Sequence, residues 1–123
     1  MLIPREYQEK SISPVLQALN QEHRALAVMA TGLGKTLTSA WVVKQLNKKP
    51  GLFLAHSNEI LRKAREEEYA RVFPNWRLGI YNGQEKDIKG ADIVFASVQT
   101  MYRNLDSFSP ERFKWLILDE GHH

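Results

Sequence analysis

Cysteine is absent from the 123 residues, so neither a disulfide framework nor a thiolate metal site is open to this chain. No apolar run approaches the ~20 residues that a membrane-spanning helix needs. The N-terminus, M-L-I-P-R-E-Y, turns charged too soon for a signal peptide. These absences leave the redox compartment undetermined; a cytoplasmic protein with no membrane partner is expected. Neither sign of charge dominates, since 17 Lys and Arg stand against 14 Asp and Glu, and the net +3 permits an anionic partner without demanding one. Low-complexity tracts, linkers and internal repeats are missing too. A composition of 43% hydrophobic and 25% charged residues is ordinary for a globular protein, and the length suits one domain with a single core.

What is present alternates. R-A-L-A-V-M-A (24–30) is a nearly continuous apolar run, as in a strand covered on both faces. A helical pattern over 35–46 follows, with Leu37, Ala40, Trp41 and Lys44 along one face. G-L-F-L-A-H (51–56) reads as a second strand, and Ser57 or Asn58 caps a helix running to about Val72, ahead of Pro74. Within it, R-K-A-R-E-E-E-Y-A-R (62–71) mixes both signs at helical spacing and reads as a solvated face rather than a nucleic-acid patch. W-R-L-G-I-Y (76–81) closes on the turn signal Asn82-Gly83. A-D-I-V-F-A (91–96) leads to Ser97, which caps the helix V-Q-T-M-Y-R-N-L, and K-W-L-I-L-D (114–119) is the fifth strand. Ahead of them all, 4–19 looks helical, with a kink or a Ser13-capped restart at Pro14. Trp41, Trp76 and Trp115 lie in or beside regular elements and are expected in the core. The alternation predicts an α/β fold, a mostly parallel sheet covered by helices, with ligands beyond the carboxyl ends of the strands.

Two unusual segments fall at those ends. M-A-T-G-L-G-K-T (29–36) lacks the first glycine of G-x-x-x-x-G-K-[ST], since Met29 stands there. Gly32 and Gly34 still allow close backbone approach and free N–H donors. Lys35 supplies a cation, Thr36 a hydroxyl for Mg²⁺, and the helix that begins there a dipole. L-I-L-D-E-G-H-H (116–123) ends a buried strand on carboxylates, which are costly without a partner; magnesium on a triphosphate is such a partner. Asp119 can hold the metal through water, and Glu120 can orient or deprotonate the water attacking the γ-phosphate.

With these residues the chain resembles the first RecA-like domain of superfamily two helicases and translocases. It stands nearest the DEAH/DExH-like group that includes type III restriction subunits. In that family the phosphate loop commonly reads A/M-x-T-G-x-G-K-T, so Met29 is a family variant. The resemblance implies a P-loop NTPase fold, ATP and Mg²⁺ as cofactors, and a nucleic-acid partner, DNA ahead of RNA. Thr31, Gly32, Leu33, Gly34, Lys35 and Thr36 would hold the phosphates. In P-R-E-Y-Q (4–8), Gln8 would read the adenine edge and Arg5 pack on the ring. F-L-A-H-S-N-E-I-L (53–61) implies nucleic-acid backbone contacts from His56 and Ser57, the latter standing where relatives often carry Arg. A-S-V-Q-T-M (96–101) implies further contacts from Gln99 and Thr100. For both segments a structural helix cap is the competing role. D-E-G-H (119–122) matches the family's D-E-x-H, which would make His122 a link between the ATP and nucleic-acid sites; His123 is left without a role.

A family helicase continues with an S-A-T-like motif and a second RecA-like domain bringing arginine fingers. Neither is in this sequence, so it is expected to be a truncated part, with poor turnover alone; such a finger supplies roughly 10³–10⁵ in rate. In the sheets it resembles, the strand after the acidic motif lies between the phosphate-loop strand and the acidic-motif strand. Without it, a vacant position is expected between residues 25–29 and 115–118. Direct pairing, a borrowed strand or further chain would relieve it. Two other functions stay open on the residues: a different P-loop enzyme, such as a small-molecule kinase, and a nucleotide-binding module without turnover.

Overall fold

Strands without polar alternation must be covered on both sides, and the helices do this. The computed structural model describes residues 35–107 and 112–119, together with the backbone of 25–29. The expected helix over 4–19 lies outside the described residues. In chain order come β1 (Ala25–Met29), α1 (Lys35–Leu46), β2 (Gly51–Ala55) and α2 (Asn58–Lys63). A π-helical segment (Ala64–Tyr69) and a last turn, α3 (Ala70–Val72), continue from α2. Then follow β3 (Leu78–Tyr81), β4 (Lys86–Asp87), β5 (Ile93–Ser97), α4 (Val98–Arg103), a 3₁₀ turn (Leu105–Ser107) and β6 (Trp115–Asp119). Among the described residues no helix is long and apolar enough to cross a membrane.

The sheet order is β1-β6-β2-β5-β3-β4. The first five of these are parallel, and β4 returns antiparallel to β3. This is the α/β, mostly parallel and helix-covered architecture expected. β1 and β6 pair directly, from Ala25 with Trp115 to Met29 with Asp119. The vacant position expected between these two strands is therefore not there; of the three ways foreseen to relieve it, direct pairing is the one found.

Every residue of β2, β5 and β6 is buried, and alternate side chains feed two cores. Leu116 and Leu118 join Leu52, Leu54, Val94 and Ala96 under Val98 and Met101 of α4. Trp115 and Ile117 join Phe53, Phe95 and Ile93 under α1 and the run from α2 to α3. Asp119 continues the Trp115–Ile117 alternation and so belongs to the α1 face.

Three expectations need correction. Trp41 is half exposed, at 50%, with Lys44 Nζ 5.1 Å from the ring centroid, and is not a core residue. The inward face of α1 is instead Ser39, Ala40 and Val43, one position round from the face that the larger apolar residues suggested. The helix over 58–72 is not α throughout: the π segment interrupts it. Beyond Asn82-Gly83 the chain turns into β4, which the polar sequence had hidden. Trp115 is buried as expected, and Trp76 is partly buried against Phe73, ring centroids 4.4 Å apart.

Candidate functional site

Register puts the carboxyl ends of four strands in one row. Met29 pairs with Asp119, Asp119 with Ala55, and Ala55 with Ser97. Everything that leaves these strands therefore starts from one edge: the segment leading to Lys35, His56–Ser57, Gln99–Thr100, and the residues after Asp119.

At one end of the row the Thr36 hydroxyl donates to Asp119 Oδ2 at 3.2 Å. Lys35 opens α1, so Thr36 sits in its first turn, while Asp119 ends β6 with no exposed surface. A buried carboxylate facing a hydroxyl, at the mouth of a strand-to-helix connection, offers hard oxygen donors. Among the described residues no group of three or more His, Cys, Asp or Glu could hold a metal alone. The pair thus fits Mg²⁺, which takes one or two protein oxygens and draws the rest from phosphates and water. Behind it Ser39 Oγ donates to the Thr36 carbonyl at 2.6 Å and lies 2.7 Å from the Tyr69 hydroxyl. Burial pushes the Tyr69 phenol well above its ordinary range; the Ser39 bond pulls the other way, and the Asp119 charge adds to the rise. Sequence reasoning missed Ser39 and Tyr69. The available signals were a serine three residues after Thr36 and a lone aromatic in a charged helix.

Along the row, Ser57 caps α2, its hydroxyl accepting from Glu59 N at 3.1 Å and Ile60 N at 3.3 Å. Ser97 caps α4, accepting from Thr100 N at 3.1 Å while donating to Thr100 Oγ1 at 2.6 Å. Thr100 is buried, Gln99 is exposed, and His56 and Ser57 are partly exposed. The capping role expected as the competing reading is thus present at both serines. Beyond β3, Asn82 Oδ1 accepts from Gln84 N at 3.0 Å and Glu85 N at 2.9 Å, and Gly83 takes φ +87°. Asn82 Nδ2 is buried without a hydrogen-bond partner, alone in this among the described residues. An open cleft of about 830 Å³, bordered by Asn58, Arg62, Lys63, Glu66 and Gln84, adjoins this end.

Arg5, Gln8, Thr31, Gly32, Leu33, Gly34, Glu120, His122 and His123 lie outside the described residues. Lys35 is placed by its backbone alone. The structure brings Thr36 and Asp119 together and puts His56, Ser57, Gln99 and Thr100 along the same edge.

Similarity to known proteins agrees with this layout. The model of the family described as "Type III restriction enzyme, res subunit" matches residues 1–123. A Saccharomyces cerevisiae protein named as a candidate ATP-dependent helicase, IRC3, is 29% identical over 130 residues, covering 97% of this chain and 19% of that protein. A Schizosaccharomyces pombe protein named as a candidate mitochondrial ATP-dependent helicase, irc3, is 34% identical over 126 residues, covering 97% of this chain and 21% of that protein. The type I restriction enzyme EcoAI endonuclease subunit of Escherichia coli is 38% identical over 71 residues, covering 54% of this chain and 9% of that protein. The chain therefore spans about a fifth of the length of the two yeast relatives. Because the family model matches from the first residue to the last, the chain belongs to the type III restriction enzyme res subunit family of superfamily two helicases, as part of the first RecA-like domain.

Proposed function

We propose that this chain is the ATP-binding part of a motor that couples ATP hydrolysis to movement on nucleic acid, DNA ahead of RNA. The observation that carries the reading is the Thr36–Asp119 pair, 3.2 Å apart at the carboxyl edge of adjacent strands, where α/β sheets bind ligands. Thr31, Gly32, Leu33, Gly34 and Lys35 fill the connection between β1 and Thr36 and would cradle the phosphates. Arg5 and Gln8 would hold the adenine. Thr36 and Asp119 would hold Mg²⁺, which supplies charge neutralisation at the phosphates when bound. Glu120, one residue beyond Asp119, would orient and deprotonate the attacking water, and His122 would link the two halves of the edge.

The nucleic-acid strand would run along the His56–Ser57 and Gln99–Thr100 part of the row. DNA is preferred because the family and the Escherichia coli relative are named for restriction. For the compartment, the cytoplasmic reading rests on composition, whereas the Schizosaccharomyces pombe relative is named as mitochondrial. Imaging of the tagged full-length protein separates the two.

The test is ATP hydrolysis by the full-length protein alone, with duplex DNA, with single-stranded DNA and with RNA. Hydrolysis is expected to rise with DNA, and Glu120→Gln is expected to keep Mg·ATP binding while losing turnover, because an amide cannot take the water's proton. Binding without turnover under every condition would make the chain a nucleotide-binding module. Phosphate transfer to a small molecule would make it a kinase.

A further inference from the structure

We infer that Tyr69 is a positioning residue for the metal end of the site: through Ser39, its hydroxyl sets the backbone of Thr36, whose own hydroxyl faces Asp119. The inference rests on reading Thr36 and Asp119 as the magnesium pair.

Hydroxyl bookkeeping gives the link a direction. Ser39 has one proton, and the Thr36 carbonyl can only accept, so the 2.6 Å contact uses that proton. The Tyr69 hydroxyl must then be the donor across the 2.7 Å contact to Ser39 Oγ. On the other side Thr36 donates to Asp119. The π-helical segment, α1 and β6 are thereby joined from Tyr69 to Asp119, through the buried Ser39 and the partly buried Thr36.

Packing alone does not account for this phenol. The ring meets Phe53 and Phe95 edge-on, with centroids 5.4 and 5.2 Å away, and stacks on Phe73 at 6.0 Å. Phenylalanine would make all three contacts without burying a hydroxyl, which is costly unless it is paired. The backbone is also adapted to bring the tyrosine here. An α-helix continuing inward from Leu61 and Ala64 would next present Arg65 and Glu68. Tyr69, five residues after Ala64, would be about 140° round from it. In a π-helix five residues are close to one turn, which returns Tyr69 to the buried face of Ala64. Such insertions are frequent at functional sites. The same helical run is capped by Ser57, which follows β2, the strand next to Asp119's β6, so the run that carries Tyr69 starts beside the site.

The experiment titrates Mg²⁺ against a fluorescent ATP analogue bound to the full-length protein, with a parallel measurement in EDTA. For Tyr69→Phe, the Mg²⁺ concentration at half-effect is expected to rise about two- to tenfold, the range of one hydrogen bond. Analogue affinity in EDTA and the melting temperature should change little. Ser39→Ala should produce a similar rise, and the double variant should be no worse than Ser39→Ala alone, because both act through one chain. Should Tyr69→Phe fail to fold, Ser39→Ala gives the deciding midpoint. An unchanged midpoint, or an equal loss of affinity with and without Mg²⁺, would overturn the inference while leaving the nucleotide site standing. A wild-type protein that binds no analogue at any Mg²⁺ concentration overturns both.

Discussion

Asp119 is a carboxylate with no exposed surface, a position that is unfavourable unless partners meet the charge. Thr36 provides one at 3.2 Å, and a metal would provide a stronger one. Asp119→Asn keeps the shape and an acceptor for the Thr36 proton but removes the charge. Calorimetry on the full-length protein should therefore show Mg²⁺-dependent ATP affinity falling by roughly 10–100-fold, as when a metal site loses a water-bridged partner. Affinity in EDTA should hardly change. Lys35→Ala should behave differently, because it removes a cation aimed at the phosphates themselves. A charge-assisted hydrogen bond is worth about 1.5–3 kcal/mol, and its loss should appear with and without the metal. Unchanged ATP affinity in Lys35→Ala would remove the phosphate-loop reading altogether. Both residues were candidates from the sequence alone, through Lys-Thr after Gly-x-Gly and Asp-Glu after an apolar run. Ser39 and Tyr69 were not. Their roles exist only once α1 and the π segment are packed together, 30 residues apart in the chain.

Among the elements, periodicity served best where apolar residues were large. All five expected strands form, and α1 begins and ends where the pattern placed it. It failed where the buried positions were small: Ser39 and Ala40 face the sheet, so Trp41, a neighbour on the helix, was assigned inward and is half exposed at 50%. The π segment was illegible for a related reason, because the charges of 62–71 fit an unbroken α-helix equally well. Gly51 shows a constraint that no local pattern carries. It pairs with Trp115, and a Cβ at Gly51 would lie 1.8 Å from the indole ring. The ring cannot easily withdraw, since Trp115 Nε1 donates to the Lys48 carbonyl at 2.8 Å. Gly51→Ala is thus expected to destabilise the fold by about 1–3 kcal/mol, the usual range for overpacking a filled core. Urea unfolding measures it, and a loss below about 0.5 kcal/mol, typical of an open surface site, would mean that the indole has room to shift.

For the molecule as a whole, one consequence of parallel pairing matters most. The Met29–Asp119–Ala55–Ser97 row puts the expected nucleotide end and the expected nucleic-acid end side by side. At about 4.8 Å per strand the two are within roughly 15 Å of each other. The α/β class was readable from the alternation of patterns, and with it the strand edge proposed for the site; the direct β1–β6 pairing was not, since a vacant position was expected there and pairing was only one of three ways to relieve it. This chain spans about a fifth of its yeast relatives; on the proposed reading it would offer one side of a nucleic-acid groove, where the groups are hydroxyls, amides and helix caps. Such groups meet phosphates and position a strand without reading bases. Binding of DNA by the 123-residue chain alone should therefore be weak and strongly salt-dependent, log K falling by roughly 0.9 per phosphate neutralised on a duplex for each tenfold rise in salt. A longer form with more of such a groove should bind more tightly and with a larger slope. Fluorescence anisotropy across a salt series, at matched DNA length and with a scrambled sequence alongside, measures both. Tight binding by this chain that survives raised salt, or that depends on sequence, would require base contacts on a surface other than the strand row.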